Sequence, residues 1–253
     1  MKSERMLVGV VEKLKESCPR MYALAKRIDD SLRITNAFAM LKARLTDGLA
    51  RRWSRQKEED IRKTWEARNA PNSRYLRKAL GGIDFDSLLE LGCNCGNRLA
   101  AIAAEKPGLR LEGIDISPLA VKCGRKWLSE EGIRNVTLVR GRIEDLSGYA
   151  DESFDVVFSW AVLMYVRPSQ ILAAVRGALR VAAKAIVLIE MQNESNNGDR
   201  RGVYYRPGNW KRDYVSLLIE AGADASRIAR EWVDISVWNP GGGGGACITY
   251  TKM

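Results

Sequence analysis

The 253-residue chain contains no histidine. This absence excludes acid–base catalysis by an imidazole and any metal site built on imidazole nitrogens. A reaction that needs a proton removed must therefore use a carboxylate, a tyrosine or a lysine.

Disulfide spacing and long apolar runs are also missing. The five cysteines are odd in number and irregularly spaced, and the longest apolar runs, DVVFSWAVLMYV and AIVLIEM, are too short to span a bilayer. Cys93 and Cys95 lie one residue apart, but without a further Cys or His cluster they do not predict a zinc site. The first residues lack a small-residue cleavage site. We expect a cytoplasmic protein with reduced thiols, no metal and no transmembrane helix.

The net charge of +10 is concentrated in the first third of the chain. Residues 1–80 contain 20 Lys and Arg against 10 Asp and Glu, whereas residues 81–253 contain 21 of each kind. Residues 1–80 also show helical patterns and no strand-like alternation. This asymmetry predicts a basic helical extension over 1–80, acting as a lid, a dimer contact or a surface contact, and a ligand-binding domain over 81–253.

Residues 37–55 have the pattern of a basic amphipathic helix. Apolar residues recur at three- and four-residue steps: Phe38, Leu41, Leu45, Leu49 and Trp53. Basic residues flank that stripe: Lys42, Arg44, Arg51, Arg52 and Arg55. The apolar stripe could pack on the catalytic domain or on a second subunit, or it could contact an anionic membrane surface.

From residue 83 onward, short apolar runs alternate with helical patterns. The runs SLLEL, LEGIDI, VTLVRG, FDVVFSW and KAIVLIEM are each followed by a helical stretch or a loop. The final segment, EWVDISVWNPGGGGGACITYTKM, has two β-rich runs around an oligoglycine loop. These patterns predict an α/β fold: a Rossmann-like, mostly parallel seven-stranded sheet with a C-terminal antiparallel hairpin, preceded by the helical extension.

The first strand runs into a glycine-bearing turn, Glu90-Leu-Gly-Cys-Asn-Cys-Gly96, that opens a helix. Such turns hold ligands against backbone N–H groups. A dinucleotide fingerprint would need glycines at 92, 94 and 97, but Asn94 and Asn97 stand at two of these positions. The acidic-x-Gly-x-Gly-x-Gly turn that binds S-adenosylmethionine fits better, because asparagine readily adopts the left-handed conformation required of the middle glycine.

Neighbouring strand ends support that interpretation. Asp115 ends the second strand 25 positions after Glu90, where a carboxylate can accept both ribose hydroxyls. At the third strand end, the N–H of Ile143 and the carboxylate of Glu144 could contact the adenine edge, although Asp145 could replace Glu144. The fourth unit places Ser159 to Tyr165 above the same edge.

Residues 83–253 therefore resemble the class I S-adenosylmethionine-dependent methyltransferases. The variant GCNCGN is similar to the turn of family members that act on sugars or other small molecules. Asn94, Arg142 and Tyr165 depart from the family's pattern. The resemblance implies S-adenosylmethionine as cofactor and these binding residues: Glu90, Gly92, Cys93, Asn94, Gly96, Asn97, Asp115, Ile116, Ile143, Glu144 and Ser159.

Two residues are candidates for the base that deprotonates an acceptor. Glu190, at the end of the fifth strand, comes first because strand carboxyl ends face the ligand crevice; the alternative is a loop-anchoring carboxylate. Tyr165 comes second. The following loop offers cations and aromatic rings that could hold an anionic ring-bearing ligand, or could simply be a solvated basic loop: Arg200, Arg201, Tyr204, Tyr205, Arg206 and Trp210.

These features predict O-methylation of a small-molecule or glycan-type acceptor. The alternatives are an RNA-binding methyltransferase, motivated by the basic first third, and an inactive cofactor-binding interaction protein. Nucleic acid is the less favoured partner because no RNA-binding signature precedes the domain. Four residues just upstream of the first strand are expected lid residues: Trp65, Asn69, Arg74 and Tyr75.

Overall fold

The computed structural model describes residues 53, 55–69, 74–193, 203–206, 209–233 and 245–252. Six helices and nine strands lie within these ranges, with single 3-10 turns at Ala67–Asn69, Leu163–Tyr165 and Ala225–Arg227. The elements follow in this order: α1 (Glu58–Glu66), α2 (Arg74–Gly81), β1 (Ser87–Leu91), α3 (Asn97–Glu105), β2 (Arg110–Asp115), α4 (Pro118–Glu130), β3 (Val136–Arg140), β4 (Phe154–Trp160), α5 (Ile171–Val181), β5 (Ala182–Met191), β6 (Val203–Arg206), β7 (Asn209–Lys211), α6 (Tyr214–Ala221), β8 (Ile228–Val233) and β9 (Gly245–Thr251).

Seven of the strands form one sheet in the order β3-β2-β1-β4-β5-β9-β8. Strands β1 to β5 are parallel, whereas β9 runs antiparallel to both β5 and β8. The predicted fold, including the C-terminal antiparallel pair, is confirmed. The carboxyl ends of β1 to β5 lie along one edge of the sheet, which we call the carboxyl edge.

The sheet is buried on both faces because its central strands are apolar throughout. In β1, Leu88 joins the core on one face, while Leu89 and Leu91 join the core on the other. Helices α1 to α4 cover the first face, and α5 and α6 cover the second.

Helices α1 and α2, which precede residue 82, contribute directly to this core. Ile61, Trp65 and Leu76 are buried in the same cluster as Leu88, and the rings of Trp65 and Trp127 lie 5.5 Å apart. Trp65 and Tyr75, expected as lid residues, are therefore core residues instead. The boundary near residue 80 stays a prediction.

Local sequence explains how the helices at the carboxyl edge begin. Ser117 caps α4 by accepting a hydrogen bond from Ala120 N, and Pro118 occupies the first helical position, as the sequence predicts. Asp213 caps α6 through Ser216 N. Between β5 and α6, where the sequence predicts only a loop, strands β6 and β7 form a small antiparallel sheet.

The predicted amphipathic helix over 37–55 lies outside the described residues except for Trp53 and Arg55. Its membrane and dimer alternatives thus stay predictions. In the part of the chain that the structure describes, no helix combines the length and the apolar character needed to cross a membrane.

Candidate active site

The turn after β1, residues 92–96, has the left-handed backbone that its sequence predicts. Gly92, Asn94 and Gly96 have φ angles of 74°, 51° and 74°. A Cβ on Gly92 would lie 2.4 Å from Val162 Cγ1, and one on Gly96 would lie 2.7 Å from Leu138 Cδ2. Glycine is therefore required at both positions by backbone angle and by space. We call residues 92–96 the glycine turn.

The two thiols of the glycine turn lie in the core. Cys93 and Cys95 are fully buried, and burial raises the pKa of both. Cys95 Sγ lies 3.8 Å from the carbonyl oxygen of Ile61. The turn can thus present its backbone, and not its sulfur atoms, to a ligand. Among the described residues, no cluster of acidic, Cys or His side chains is suited to a metal ion.

Asp115, at the end of β2, joins the glycine turn to the start of α4. Its Oδ2 accepts a hydrogen bond from Asn94 N, and its Oδ1 accepts one from Ser117 N, both at 2.8 Å. Desolvation raises the pKa of Asp115, and these backbone donors oppose that rise. Each oxygen keeps a second lone pair for a ligand hydroxyl. Ile116 lies between Asp115 and the cap residue, partly exposed.

Glu90, in β1, is a fully buried carboxylate with one side-chain partner. Arg98 Nη1 donates to Glu90 Oε1 at 3.3 Å, and its guanidinium also lies over the Trp160 ring, 4.8 Å from the centroid. Desolvation raises the pKa of Glu90 to about 7, although Arg98 opposes the rise. Glu90 Oε2 is buried without a hydrogen-bond partner among the described residues.

Two neighbouring acids after β3, Glu144 and Asp145, have different surroundings. The Glu144 side chain is only 14% exposed and accepts a hydrogen bond from Arg142 at 3.0 Å. Asp145 is exposed and instead accepts hydrogen bonds from Ser147, which lower its pKa. The geometry favours Glu144 over Asp145 as the inward acid. Ile143 beside it is buried.

Glu190, in β5, has the geometry of a loop anchor. The side chain is fully buried, and its Oε1 accepts hydrogen bonds from Ser159 Oγ at 2.6 Å, Val162 N at 3.0 Å and Leu163 N at 3.1 Å. A general base must reach the proton that it removes. The contacts therefore favour the anchoring alternative for Glu190. They also engage the hydroxyl of Ser159, which is fully buried in β4.

Tyr165 is the partly exposed candidate at the same edge. It lies in the 3-10 turn after β4, and its ring meets that of Trp53 edge-on, with centroids 5.2 Å apart. Trp53 is also partly exposed. Nearby, Gln56 Oε1 accepts a hydrogen bond from Asn94 Nδ2 at 3.1 Å. Before α1, Gln56 thus contacts the glycine turn and Trp53 contacts the loop after β4.

The candidate residues after β5 have mixed outcomes. Arg200 and Arg201 lie outside the described residues, and the structure describes only the backbone of Tyr204, Tyr205 and Arg206 in β6. Trp210 is buried, so its ring is not available to stack on a ligand. Asn97, the first residue of α3, is buried, and its Oδ1 has no hydrogen-bond partner among the described residues.

Sequence reasoning missed three functional candidates: Gln56, Arg98 and Arg212. Arg98 could have been suspected from its place in the first turn of α3, two residues after the glycine turn and close to the acid of β1. Arg212 gives no local signal, because its partners Leu163 and Val166 are more than forty residues away.

Residues 88–185 match a family model described as a methyltransferase domain. Solved structures share the fold at low identity. A SAM dependent methyltransferase from Aquifex aeolicus matches with a TM-score of 0.57 and 14% identity, over 79% of this chain and 100% of that chain. The N-terminal domain of EvdMO1 in the presence of SAH and D-fucose matches with a TM-score of 0.55 and 17% identity, over 78% of this chain and 97% of that chain. A possible histamine N-methyltransferase from Thermotoga maritima matches with a TM-score of 0.54 and 17% identity, over 77% and 96%.

The doubly wound sheet, with acids at three successive strand ends, defines a domain that binds a nucleotide-type cofactor at its carboxyl edge. The family match indicates a methyltransferase domain over residues 88–185, and the sheet shares its fold with solved S-adenosylmethionine-dependent methyltransferases. S-adenosylmethionine is the cofactor that such a methyltransferase domain indicates, and two matching structures, the N-terminal domain of EvdMO1 and PigF, were solved with SAH.

The polar atoms of the site fit such a cofactor. Glu90 Oε2, Asn94 Oδ1 and Trp53 Nε1 are buried without a hydrogen-bond partner among the described residues. The two oxygens, on β1 and in the glycine turn, can accept hydrogen bonds, and the Trp53 N–H, on a ring that contacts Tyr165, can donate one. The site can provide charge-assisted hydrogen bonds to a cationic, hydroxyl-bearing molecule.

Proposed function

We propose that this methyltransferase transfers a methyl group to a hydroxyl oxygen of a small-molecule or glycan-type acceptor. The observation that carries the proposal is the partly exposed pair of Trp53 and Tyr165 beside the carboxyl edge. Aromatic rings with a polar tip suit the apolar face and the hydroxyls of a sugar or a similar ring. The family's sugar-type turn, GCNCGN, supports the same acceptor class.

On the cofactor side, the proposed contacts are the acids of the first three strand ends. Asp115 would accept the ribose hydroxyls, because both its oxygens already face the glycine turn and the start of α4. Glu144 and the N–H of Ile143 would contact the adenine edge. Glu90 would add negative charge close to the cofactor's cationic end. The glycine turn, with Asn97 after it, would bring the backbone close to the ligand.

When bound, the cofactor supplies an activated methyl group on a sulfonium, so orientation and exclusion of water are the protein's main tasks. Tyr165, as tyrosinate, would take the proton of the acceptor hydroxyl. The deprotonated acceptor oxygen would be the nucleophile for that methyl group, and the sulfonium would be the leaving group. Trp53 and Gln56 would cover the site. Glu190 would be the base only if its hydrogen bonds to the loop were released.

Transfer of tritium from methyl-labelled S-adenosylmethionine tests the acceptor class. Purified protein is incubated with fractionated small molecules, saccharides, RNA and protein, and label is counted in each fraction. We expect label in a small-molecule or saccharide fraction. Label confined to RNA would instead support the RNA methyltransferase alternative, and label confined to protein would also overturn the proposal.

The role of Tyr165 is tested by Tyr165→Phe, which keeps the ring contact with Trp53 but removes the hydroxyl. Turnover should fall by roughly 10² or more, because general base catalysis contributes about 10²–10⁴-fold. Affinity for S-adenosylhomocysteine should stay within about twofold. Full turnover in this variant would exclude Tyr165 as the base.

A further inference from the structure

We propose that Glu190 and Arg212 are positioning residues that together fix the loop after β4, and through it the acceptor side of the site. We call residues 161–166 the β4 loop. The proposal rests on the proposed function only in the role given to Tyr165. The loop's attachment to these two side chains can be tested without an acceptor.

Glu190 holds the first half of the β4 loop. Its Oε1 accepts the amide hydrogens of Val162 and Leu163, at 3.0 and 3.1 Å, as well as the Ser159 hydroxyl at 2.6 Å. Hydrogen bonds to a carboxylate are the stronger kind, and the bonds from Ser159 and Leu163 are buried. One oxygen therefore binds the end of β4 and the first turn of the loop to β5.

The backbone of the β4 loop begins in a conformation that needs such support. Ala161 has a φ of 55°, which is uncommon for a residue with a Cβ. Strain of this kind persists only where surrounding contacts fix it. Ala161 N donates to Ile189 O at 2.9 Å, and the next two amides donate to Glu190. Strand β5 thus fixes three consecutive amides of the loop.

Arg212 holds the second half of the β4 loop. Its fully buried guanidinium donates from Nη1 to Leu163 O at 2.6 Å and from Nη2 to Val166 O. The planar fork of arginine can bind two carbonyl oxygens at once, which a lysine ammonium on a flexible stem matches poorly. Leu163 is therefore bound through its amide by Glu190 and through its carbonyl by Arg212.

Two buried charged groups are an expensive way to stabilise a loop, because each must be desolvated. Their value lies in what the β4 loop contacts. Val162 packs against Gly92 of the glycine turn, and Tyr165 packs against Trp53. The loop therefore touches both the cofactor side and the acceptor side, so its position sets the distance between the two reactants.

The experiment compares Glu190→Gln, Glu190→Ala, Arg212→Lys and Arg212→Met, with the exposed Glu231→Gln as a control variant. Hydrogen exchange measures the amides of residues 162–166, and calorimetry measures the affinity for S-adenosylhomocysteine. Gln keeps an acceptor oxygen for the loop, so Glu190→Gln should raise exchange of the Val162 and Leu163 amides by less than about threefold. Glu190→Ala should raise it more than about tenfold. Arg212→Lys and Arg212→Met should raise exchange at Tyr165 and Val166 by about tenfold or more.

Turnover separates positioning from catalysis. If Glu190 positions the loop, Glu190→Gln should lose less than about tenfold in kcat and Glu190→Ala at least tenfold more, with cofactor KM unchanged. If Glu190 is the base, both variants should lose about 10² or more. Equal exchange in Glu190→Ala and the wild type, or unchanged exchange in both Arg212 variants, would overturn the proposal. If Glu190→Ala or Arg212→Met fails to fold, Glu190→Gln and Arg212→Lys still give the exchange comparison. Hydrogen exchange needs no acceptor, so the comparison also holds if the acceptor belongs to another class.

Discussion

Glu90 and Glu190 occupy comparable places, since each is the fully buried, penultimate residue of a parallel strand, yet different groups bind them. Glu90 has one side-chain partner, Arg98, and keeps one oxygen without a partner in the described part of the chain. Glu190 Oε1 accepts two backbone amides and a hydroxyl, while its Oε2, like that of Glu90, has no partner among the described residues. A carboxylate bound by a single side chain can exchange partners when a ligand arrives, whereas one bound by backbone fixes the chain around it.

The same contrast applies to the two halves of the carboxyl edge. The half at β1 to β3 presents acids next to a glycine turn and suits ligand binding. The half at β4 and β5 uses buried charge to hold its own loop. In the first half a side chain binds the buried acid of β1, whereas in the second half two buried charged groups bind the backbone of the β4 loop.

The largest effect is expected from Asp115→Ala, which removes the central acid of the cofactor half. Each charge-assisted hydrogen bond to a hydroxyl contributes about 1.5–3 kcal/mol, so the affinity for S-adenosylhomocysteine should fall at least tenfold. The substitution also removes the acceptor of Asn94 N and Ser117 N. Calorimetry measures the affinity, with Asp145→Ala as the matched control because Asp145 is exposed and bonds only locally.

Exchange of the β4 loop amides should be unchanged in Asp115→Ala if the two halves are built independently. Unaltered affinity would remove Asp115 from cofactor binding. Faster loop exchange in this variant would contradict the contrast between the halves.

The cofactor half could be predicted from sequence because its determinants are local. The left-handed backbone of Asn94, the Ser117 cap and Asp115 at the end of β2 all lie within short segments with recognisable patterns. The antiparallel β8–β9 pair followed from two β-rich runs around glycines. In each case the physical cause and the signal occupy the same stretch of chain.

The acceptor half could not be predicted in this way because its determinants are distant in sequence. Arg212 bonds to carbonyls of Leu163 and Val166, and nothing in its neighbourhood distinguishes it from the other arginines of that segment. Glu190 could be placed at the carboxyl edge, but not assigned to base or anchor, because burial and hydrogen bonds decide between these roles. Trp65 and Tyr75 were expected as lid residues from their position just upstream of the first strand, but position alone does not tell that their side chains are buried in the core.

The next effect concerns stability and uses Glu90→Gln. The pKa of Glu90 is raised from 4.5 to about 7 by desolvation, with Arg98 opposing. The unfolded chain therefore loses this proton first as pH rises, so stability falls between about pH 4.5 and pH 7 and is constant above. The full change corresponds to about 3 kcal/mol at 1.36 kcal/mol per unit.

Urea unfolding at about pH 4.5, 6 and 8 measures this change. As pH rises, the free energy of unfolding of the wild type should fall relative to that of Glu90→Gln. Glu231→Gln, at an exposed ion pair, should show the same pH dependence as the wild type. Parallel pH profiles for wild type and Glu90→Gln would mean that Glu90 is not a strongly desolvated acid.

The smallest effect concerns Asn94, whose side chain is bound by the segment before α1. Asn94→Gly keeps the left-handed backbone but loses the hydrogen bond to Gln56, which should lower the free energy of unfolding by about 0.5–1.5 kcal/mol. Asn94→Ala loses the same bond and should also add backbone strain of about 1 kcal/mol. A double-mutant cycle of Asn94→Gly with Gln56→Ala should give a coupling of about 1 kcal/mol in urea unfolding. Tryptic cleavage after the exposed Arg55 or Lys57 should rise to a similar extent in either single variant, because each releases the same contact. Additive free energies would instead show that the amide pair contributes nothing, and that the asparagine at this position serves only the backbone angle of the glycine turn.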